Sequence, residues 1–381
     1  MNRADRCVVF AGGGTGGHLY PGLAIAERLS EILAKNNDTM RSVFACSVRP
    51  LDAEILGREN AEFRTIPAEP FGLAPRTLVK FVRTWGGAVR TGRALLRELR
   101  ERHGEVLVVA MGGFVAAPMV QAARVEGCAV TLVNLDATPG KANRWIARHA
   151  RRVFTAAEVV GVASARSWIH VPPIVRRTAV PPGDARTCRA ILGLNLDRPT
   201  LLVTGASQGA TSINEFVISL ARESSEFFAA GCWQVIHQAG GKADLTAIEK
   251  SYAEARVPAL VRAFLSPMGP AWGAADLAIS RAGAGSVAEA WAAGVPTVFM
   301  PYPYHRDQHQ RLNALPLESR GACVIATDAI DVDQNVRTIG PIVLGLMRSA
   351  SGREAMRAAL AGLGPADGAA KVAAAVAGGV A

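Results

Sequence analysis

No window of this chain reaches about 18 consecutive apolar residues, so nothing in it has the length of a membrane-spanning helix. Aromatic residues are few, at 6%. No recognition motif, and no interleaving of basic and aromatic side chains, supports a nucleic-acid-binding protein. No Cys-x-x-Cys pair occurs among the six cysteines, which are scattered from Cys7 to Cys323. With no signal peptide, they are expected to be buried, reduced thiols in a cytosolic protein. The first strand is expected almost at the N-terminus, leaving no room for a targeting segment. Acidic residues are outnumbered, 32 Asp and Glu against 42 Lys and Arg, for a net charge of +10. That balance points to an anionic partner: nucleic acid, a phosphate-bearing substrate or an anionic membrane surface.

What is abundant is apolar and small. Half of the 381 residues are hydrophobic and 38 are glycine, a composition suited to helices packed on parallel sheet, and the length favours two domains. Cys7–Phe10 reads as a buried strand and Tyr20–Leu33 as an amphipathic helix. Between them Gly12, Gly13, Gly14, Gly16 and Gly17 let the backbone turn tightly and approach a ligand. The first expectation for this loop is a phosphate cradle at a helix N-terminus. It gives neither a clean dinucleotide fingerprint nor the Lys-Ser/Thr pair of a P-loop. Strands are expected at 43–46, 105–111, 129–133 and 153–156, the last closing the first sheet, with a helix over Pro118–Val125. Pro172-Pro173 and Pro181-Pro182-Gly183 mark a linker. A second series follows, with strands at 200–204, 234–238, 259–264, 276–280 and 296–300 and its own glycine turn at 205–210. The economical architecture is two doubly wound α/β domains facing a cleft, with ligands beyond the carboxyl ends of the strands. We expect the first over 1–168, the second over 169–352, and a closing helix at about 353–381 that packs back on the first.

The stretch Ile279–Ala290 carries the most chemistry. A strand ends at Ser280, small residues turn, and Ser286 is placed to cap a helix, making a second anion site. Glu289, one turn inside, suits a diol such as a ribose; equally, it can simply complement the helix dipole. His305 and His309 stand four residues apart, but no third ligand accompanies them, and metal binding is not expected. Asp331-Val332-Asp333 reads as a solvated turn.

Gly13-Gly14-Thr15-Gly16-Gly17-His18, followed by Pro21 and Leu23-Ala24, resembles the N-terminal signature of the MurG family. The likeness continues through Met111–Phe114, Asn143-Arg144-Trp145, Gly205–Gly209 and Arg281–Asn313, in order and over nearly the whole chain. The resemblance implies a GT-B glycosyltransferase of two Rossmann-like domains. It also implies inverting transfer of N-acetylglucosamine from UDP-N-acetylglucosamine to a polyprenyl-diphosphate-linked muramyl pentapeptide. By position, it places Arg176 (or Arg177), Ser207, Gln208, Phe264, Leu265, Met268, Arg281, Ala284, Gly285, Ser286, Glu289, His309 and Gln310 on the donor. Gly14, Thr15, Gly16, Gly17, His18, Phe114 and Asn143 fall to the acceptor, with the first glycine loop facing the acceptor's diphosphate. No tightly bound cofactor is implied, and no motif calls for a divalent cation.

The chain departs from the family where Val133-Asn134-Leu135-Asp136 stands for His-Glu-Gln-Asn, Phe114 for Tyr and His309 for Gln. The resemblance supports His18 as the base, and an imidazole, which titrates near neutrality, suits that task; Asp136 is the second candidate. Leu78, Phe81 and Trp85, set among arginines, are expected to meet an anionic membrane surface. The 88–102 part of the same helix is expected to face the core. This puts the protein at the cytoplasmic face of the inner membrane as a peripheral enzyme. Transfer to another lipid-linked acceptor is the close rival. A UDP-N-acetylglucosamine 2-epimerase would need more carboxylates than the loops offer. A dinucleotide oxidoreductase fails because Cys46–Arg49 stands where its ribose-binding acid belongs.

Overall fold

The computed structural model describes residues 6–72, 74–205 and 209–378. Contacts divide the chain into two units, one running up to Arg176 and joined by the chain from Asp367, the other Arg177–Ala366. The division therefore falls later than residue 168.

In the first unit β1 (Arg6–Ala11), β2 (Met40–Ser47), β3 (Phe63–Ile66), β4 (Glu105–Ala110), β5 (Ala129–Asn134), β6 (Arg152–Thr155) and β7 (Ile169–His170) form one parallel sheet. Its order is β3-β2-β1-β4-β5-β6-β7. The helices are α1 (Gly16–Lys35), α2 (Pro50–Arg58), α3 (Pro75–His103), α4 (Gly113–Val125) and α5 (Lys141–Ala147). Alternate residues of one strand feed two different cores. Cys7, Val9 and Ala11 pack with Leu95, Leu96 and Leu99 of α3 and Met119 of α4. Val8 and Phe10 pack with Ile25 and Leu29 of α1. Burial on both faces is why these strands read as unbroken apolar runs.

The second unit repeats the plan with β8 (Thr200–Thr204), β9 (Gln234–Gln238), β10 (Ala259–Arg262), β11 (Leu277–Ser280), β12 (Thr297–Phe299) and β13 (Cys323–Ile325), in the order β10-β9-β8-β11-β12-β13. Its helices are α6 (Ala185–Ile191), α7 (Thr211–Glu223), α8 (Ser225–Ala230), α9 (Leu245–Glu254), α10 (Gly269–Ala274), α11 (Ala284–Ala293), α12 (His309–Glu318), α13 (Val332–Thr338), α14 (Gly340–Arg348) and α15 (Ala350–Gly362). The last helix, α16 (Gly368–Ala377), returns to the first unit, where Val372 and Val376 join the core beside α1.

Several expectations need correction. Of the closing segment at 353–381, only α16 belongs to the first unit; α15 belongs to the second. β6 does not close the first sheet, because β7 adds two more residues beyond it. Gly16 and Gly17 are not loop; they form the first turn of α1. Likewise Gly113 and Phe114 open α4, well before Pro118. Ser286 does not cap α11: Gly283 holds that position and Ser286 lies in the first turn. Asp331 is no idle turn residue, since its carboxylate caps α13 by accepting from the Gln334 N–H at 2.7 Å.

Both sheets reverse winding direction beside their first strand, between β1 and β4 and between β8 and β11. In open α/β sheets that is where ligands bind, outside the carboxyl ends of the strands. The loops following β1, β2, β4 and β5 share that edge in the first unit, and those following β10, β11, β12 and β13 share it in the second.

Candidate active site

In the first unit the imidazole of His18, in the first turn of α1, is half-buried between two glycine turns. Gly112, with φ +94°, leaves the space for it: a Cβ there would lie 2.9 Å from Asn143 Oδ1 and 3.2 Å from His18 Cδ2. Any larger residue would therefore push the ring away. Thr15, at the N-cap of α1, does not cap the helix; its hydroxyl instead lies 3.3 Å from His18 Nδ1. Desolvation holds the imidazole below its ordinary pKa, opposed by the charges of Asp136 and Asp52.

The loop before His18 already contains an anion. Asp52 of α2 is wholly buried, and its Oδ2 accepts from the Gly14 N–H (2.8 Å), the Ser47 N–H (2.9 Å) and the Ser47 hydroxyl (2.6 Å). A Cβ on Gly13 would run into that same oxygen and the Ser47 nitrogen. The phosphate-cradle expectation is thus corrected at Gly14, whose N–H serves a carboxylate of the protein. Arg49 donates to the Gly14 carbonyl (2.8 Å) and lies over the Phe114 ring, 5.1 Å from its centroid.

Asn143 is fixed by a relay. Its Nδ2 donates to Asn134 Oδ1 (3.0 Å), while Asn134 Nδ2 donates to the Asp136 carbonyl (2.8 Å) and Thr155 Oγ1 (3.2 Å). The amide so oriented leaves Asn143 Oδ1 buried and unpartnered. His18, Asn143 and the two glycine turns therefore come together. Asp136 joins them through its charge.

In the second unit Arg281, Ala284, Gly285 and Ser286 follow β11, and His309 and Gln310 open α12. Arg281 does not present its charge outward. Its guanidinium donates to the Met300 carbonyl (2.8 Å), Asp328 Oδ2 (2.7 Å) and Ser212 Oγ (2.8 Å). Asp328 is buried as well. Burial would raise its pKa, but hydrogen bonds from Ser212, Asn335 and Ile330 and the charge of Arg281 hold it down. The diphosphate expectation for Arg281 is corrected accordingly: its cation is matched inside the protein.

Glu289 accepts from Trp272 Nε1 (2.9 Å), and burial pushes its carboxyl up to about 7. The His305 and His309 rings lie 4.3 Å apart, with His309 Nδ1 on Asp307 (2.8 Å) and Gln310 accepting from the Tyr302 N–H (2.9 Å). Phe264 is partly exposed beyond β10, Leu265 is buried with its N–H on Gln238 (2.8 Å), and Met268 precedes α10. Ser207 and Gln208 lie outside the described residues.

Two further expectations change. Arg176 is nearly buried in the first unit, paired with Glu59 (2.6 and 2.8 Å) and Glu27 (3.0 Å) and set over Tyr20. Two carboxylates claim it, so it does not join the donor candidates. Of the membrane candidates, Leu78 is exposed, but Phe81 and Trp85 are half-buried in an aromatic ladder. Ring centroids are 5.3 Å apart from Phe71 to Phe81, 5.3 Å from Phe81 to Trp85 and 6.4 Å from Trp85 to Trp145. The exposed apolar neighbours of Leu78 are Val79 and Val82, flanked by Arg76 and Arg83. Among the described residues no helix is long and apolar enough to cross a membrane.

Residues 8–155 match the glycosyltransferase family 28 N-terminal domain, and residues 200–356 match that family's C-terminal domain. The UDP-N-acetylglucosamine–N-acetylmuramyl-(pentapeptide) pyrophosphoryl-undecaprenol N-acetylglucosamine transferase of Desulforudis audaxviator is 32% identical over 326 residues, 84% of this chain and 85% of its own length. This chain belongs to the MurG family. A MurG-family transferase of the same description from a Nocardioides species is 35% identical, covering 94% of both chains. The crystal structure of Acinetobacter baumannii MurG matches at a TM-score of 0.69 and 23% identity, over 97% of this chain and 99% of that one. The protein is thus a glycosyltransferase with the GT-B pair of Rossmann-like domains.

Within this MurG-family chain, Arg281 and Asp328 act as a buried structural pair. Arg281→Met alone should cost about 3–5 kcal/mol in urea unfolding by leaving Asp328 uncompensated, and Arg281→Met with Asp328→Leu should recover most of it. An Arg281→Met protein as stable as the parent would contradict this assignment.

Proposed function

We propose that the chain transfers N-acetylglucosamine, with inversion, from UDP-N-acetylglucosamine to the lipid-linked muramyl pentapeptide, completing lipid II. The observation that carries this is the relationship, over 84% and 94% of the chain, to transferases of that description, joined to an imidazole seated at the winding reversal of the first sheet.

In this reading the first unit holds the acceptor and the second the donor. His18 takes the proton of the attacking hydroxyl on Nε2, the tautomer in which Nδ1–H donates to Thr15 Oγ1. Desolvation keeps the ring neutral and ready to accept. As the acceptor oxygen bonds to the anomeric carbon, the bond to the diphosphate oxygen breaks and its electron pair leaves with UDP. The N–H groups opening α11, at Ala284, Gly285 and Ser286, stabilise that growing negative charge. Glu289 accepts from the ribose hydroxyls, and His309 with Gln310 holds the sugar. Phe264, Leu265 and Met268 face the base. Gly14, Thr15, Gly16, Gly17, Phe114 and Asn143 frame the acceptor beside His18. Leu78, with Val79, Val82 and the nearby arginines, rests on an anionic membrane surface at the cytoplasmic face.

A second reading, transfer of a UDP-sugar to another lipid-linked acceptor, is favoured by one feature. Asn134 and Asp136 form part of the relay that fixes Asn143, at positions where the chain departs from its family.

His18→Ala should abolish transfer to lipid I while UDP-N-acetylglucosamine binding, read by calorimetry, stays within about twofold. Preserved turnover would remove His18 as the base. Glu289 gives a pH dependence with a definite sign. Protonated below about 7, it loses one of the acceptor sites that a diol uses, so donor affinity should weaken as the pH falls from 8 to about 6. Glu289→Gln should bind more weakly at pH 8 and with a flat profile. A wild-type affinity constant across that range would refute the role.

A further inference from the structure

We propose that Asp52 is a positioning residue for His18. Its carboxylate takes the place of an anionic ligand beneath the first glycine turn and so fixes the imidazole for proton transfer. This rests on the reading of His18 as the base.

Three observations support it. The first is the placing of the carboxylate. Asp52 lies in the first turn of α2, where an acid ordinarily faces solvent and complements the helix dipole. Here it turns inward, is wholly buried, and gathers all three of its donors on Oδ2. They join the turn after β1, through Gly14, to the end of β2, through Ser47.

The second is charge. Arg49, three residues earlier, donates to the Gly14 carbonyl, not to Asp52. Among the described residues no cation forms an ion pair with this carboxylate, and its Oδ1 is buried without any hydrogen-bond partner. A buried carboxylate lacking a cation is costly, and a neutral side chain of similar shape would fold more cheaply. The contrast with Asp328, whose charge Arg281 matches, is direct.

The third is reach. Gly14, Thr15 and His18 form one continuous turn, with the His18 N–H donating to the Thr15 carbonyl (3.3 Å) and Thr15 Oγ1 on Nδ1. Fixing Gly14 therefore fixes the turn that carries the hydroxyl lying against Nδ1, and with it the position of the ring. The charge of Asp52 also favours the imidazolium that forms when His18 takes a proton. The other charged group that acts on the ring is Asp136, from the loop after β5. Arg49 is nearby, held on Gly14 and Phe114.

The test compares the whole wild-type chain with Asp52→Asn, Ser47→Ala and His18→Ala, varying UDP-N-acetylglucosamine through saturation with the lipid-linked acceptor saturating. Asp52→Asn should lower kcat about tenfold or more and leave the donor KM within about twofold. The acid limb of its kcat–pH profile should move to lower pH, because the imidazolium has lost a stabilising charge. A wild-type kcat, or a loss of kcat with the limb unmoved, would overturn the proposal. If Asp52→Asn fails to fold by circular dichroism, Ser47→Ala decides. It keeps the carboxylate and removes one of its donors, so it must lower kcat at unchanged donor KM, and an unchanged kcat overturns the proposal. If His18→Ala retains turnover, the base assignment itself falls. If His18→Ala is inactive and both other variants are normal, only the positioning role falls.

Discussion

A carboxylate buried without a cation must be met by N–H and O–H donors, and the first unit is arranged to meet that demand. Asp52 draws the Gly14 N–H and two groups of Ser47 onto one oxygen. That requirement explains why residue 13 must be glycine, since a side chain there would occupy the place of the carboxylate. It also places Thr15 where its hydroxyl meets the imidazole instead of capping α1. At Gly14, then, the N–H of the glycine loop serves a carboxylate of the protein itself.

The second unit solves a related problem differently. Asp328 also lies beyond the carboxyl end of its sheet, but Arg281 balances its charge and Ser212 and Asn335 satisfy its oxygens. The result is a buried, charge-matched pair in the turns that follow β11 and β13. Glu289, in α11, is left with a single indole donor and a raised pKa, a group able to gain hydrogen bonds from a ligand. One unit thus keeps a buried carboxylate without an ion-pair partner near an imidazole, while the other pairs its buried carboxylate with a guanidinium.

The sequence made the long central strands legible because both faces are buried, giving continuous apolar runs such as Val106–Ala110. β3, β7 and β13 escaped it because strands of two to four residues at or beside a sheet edge carry too little pattern. The glycine turns were legible from spacing, and His18 from the family resemblance. The partners that give them meaning were not. Asp52 reads as an ordinary helix-start acid, and nothing local shows it turned inward. Arg281 and Arg176 read as free cations, because the carboxylates that claim them lie 47 and 117 residues away. Phe81 and Trp85 read as an exposed stripe for a similar reason: Phe71 and Trp145, which shield them, belong to other elements.

The central claim is that the first glycine loop holds His18 neutral, with its proton on Nδ1 and Nε2 open to the acceptor. Nitrogen-15 NMR of the histidine-labelled protein, with His18 assigned by substitution, measures this directly. The account predicts an Nδ1-protonated imidazole at pH 7 that titrates below the ordinary value of 6.5. An Nε2-protonated ring, or one still charged at pH 7, would contradict it.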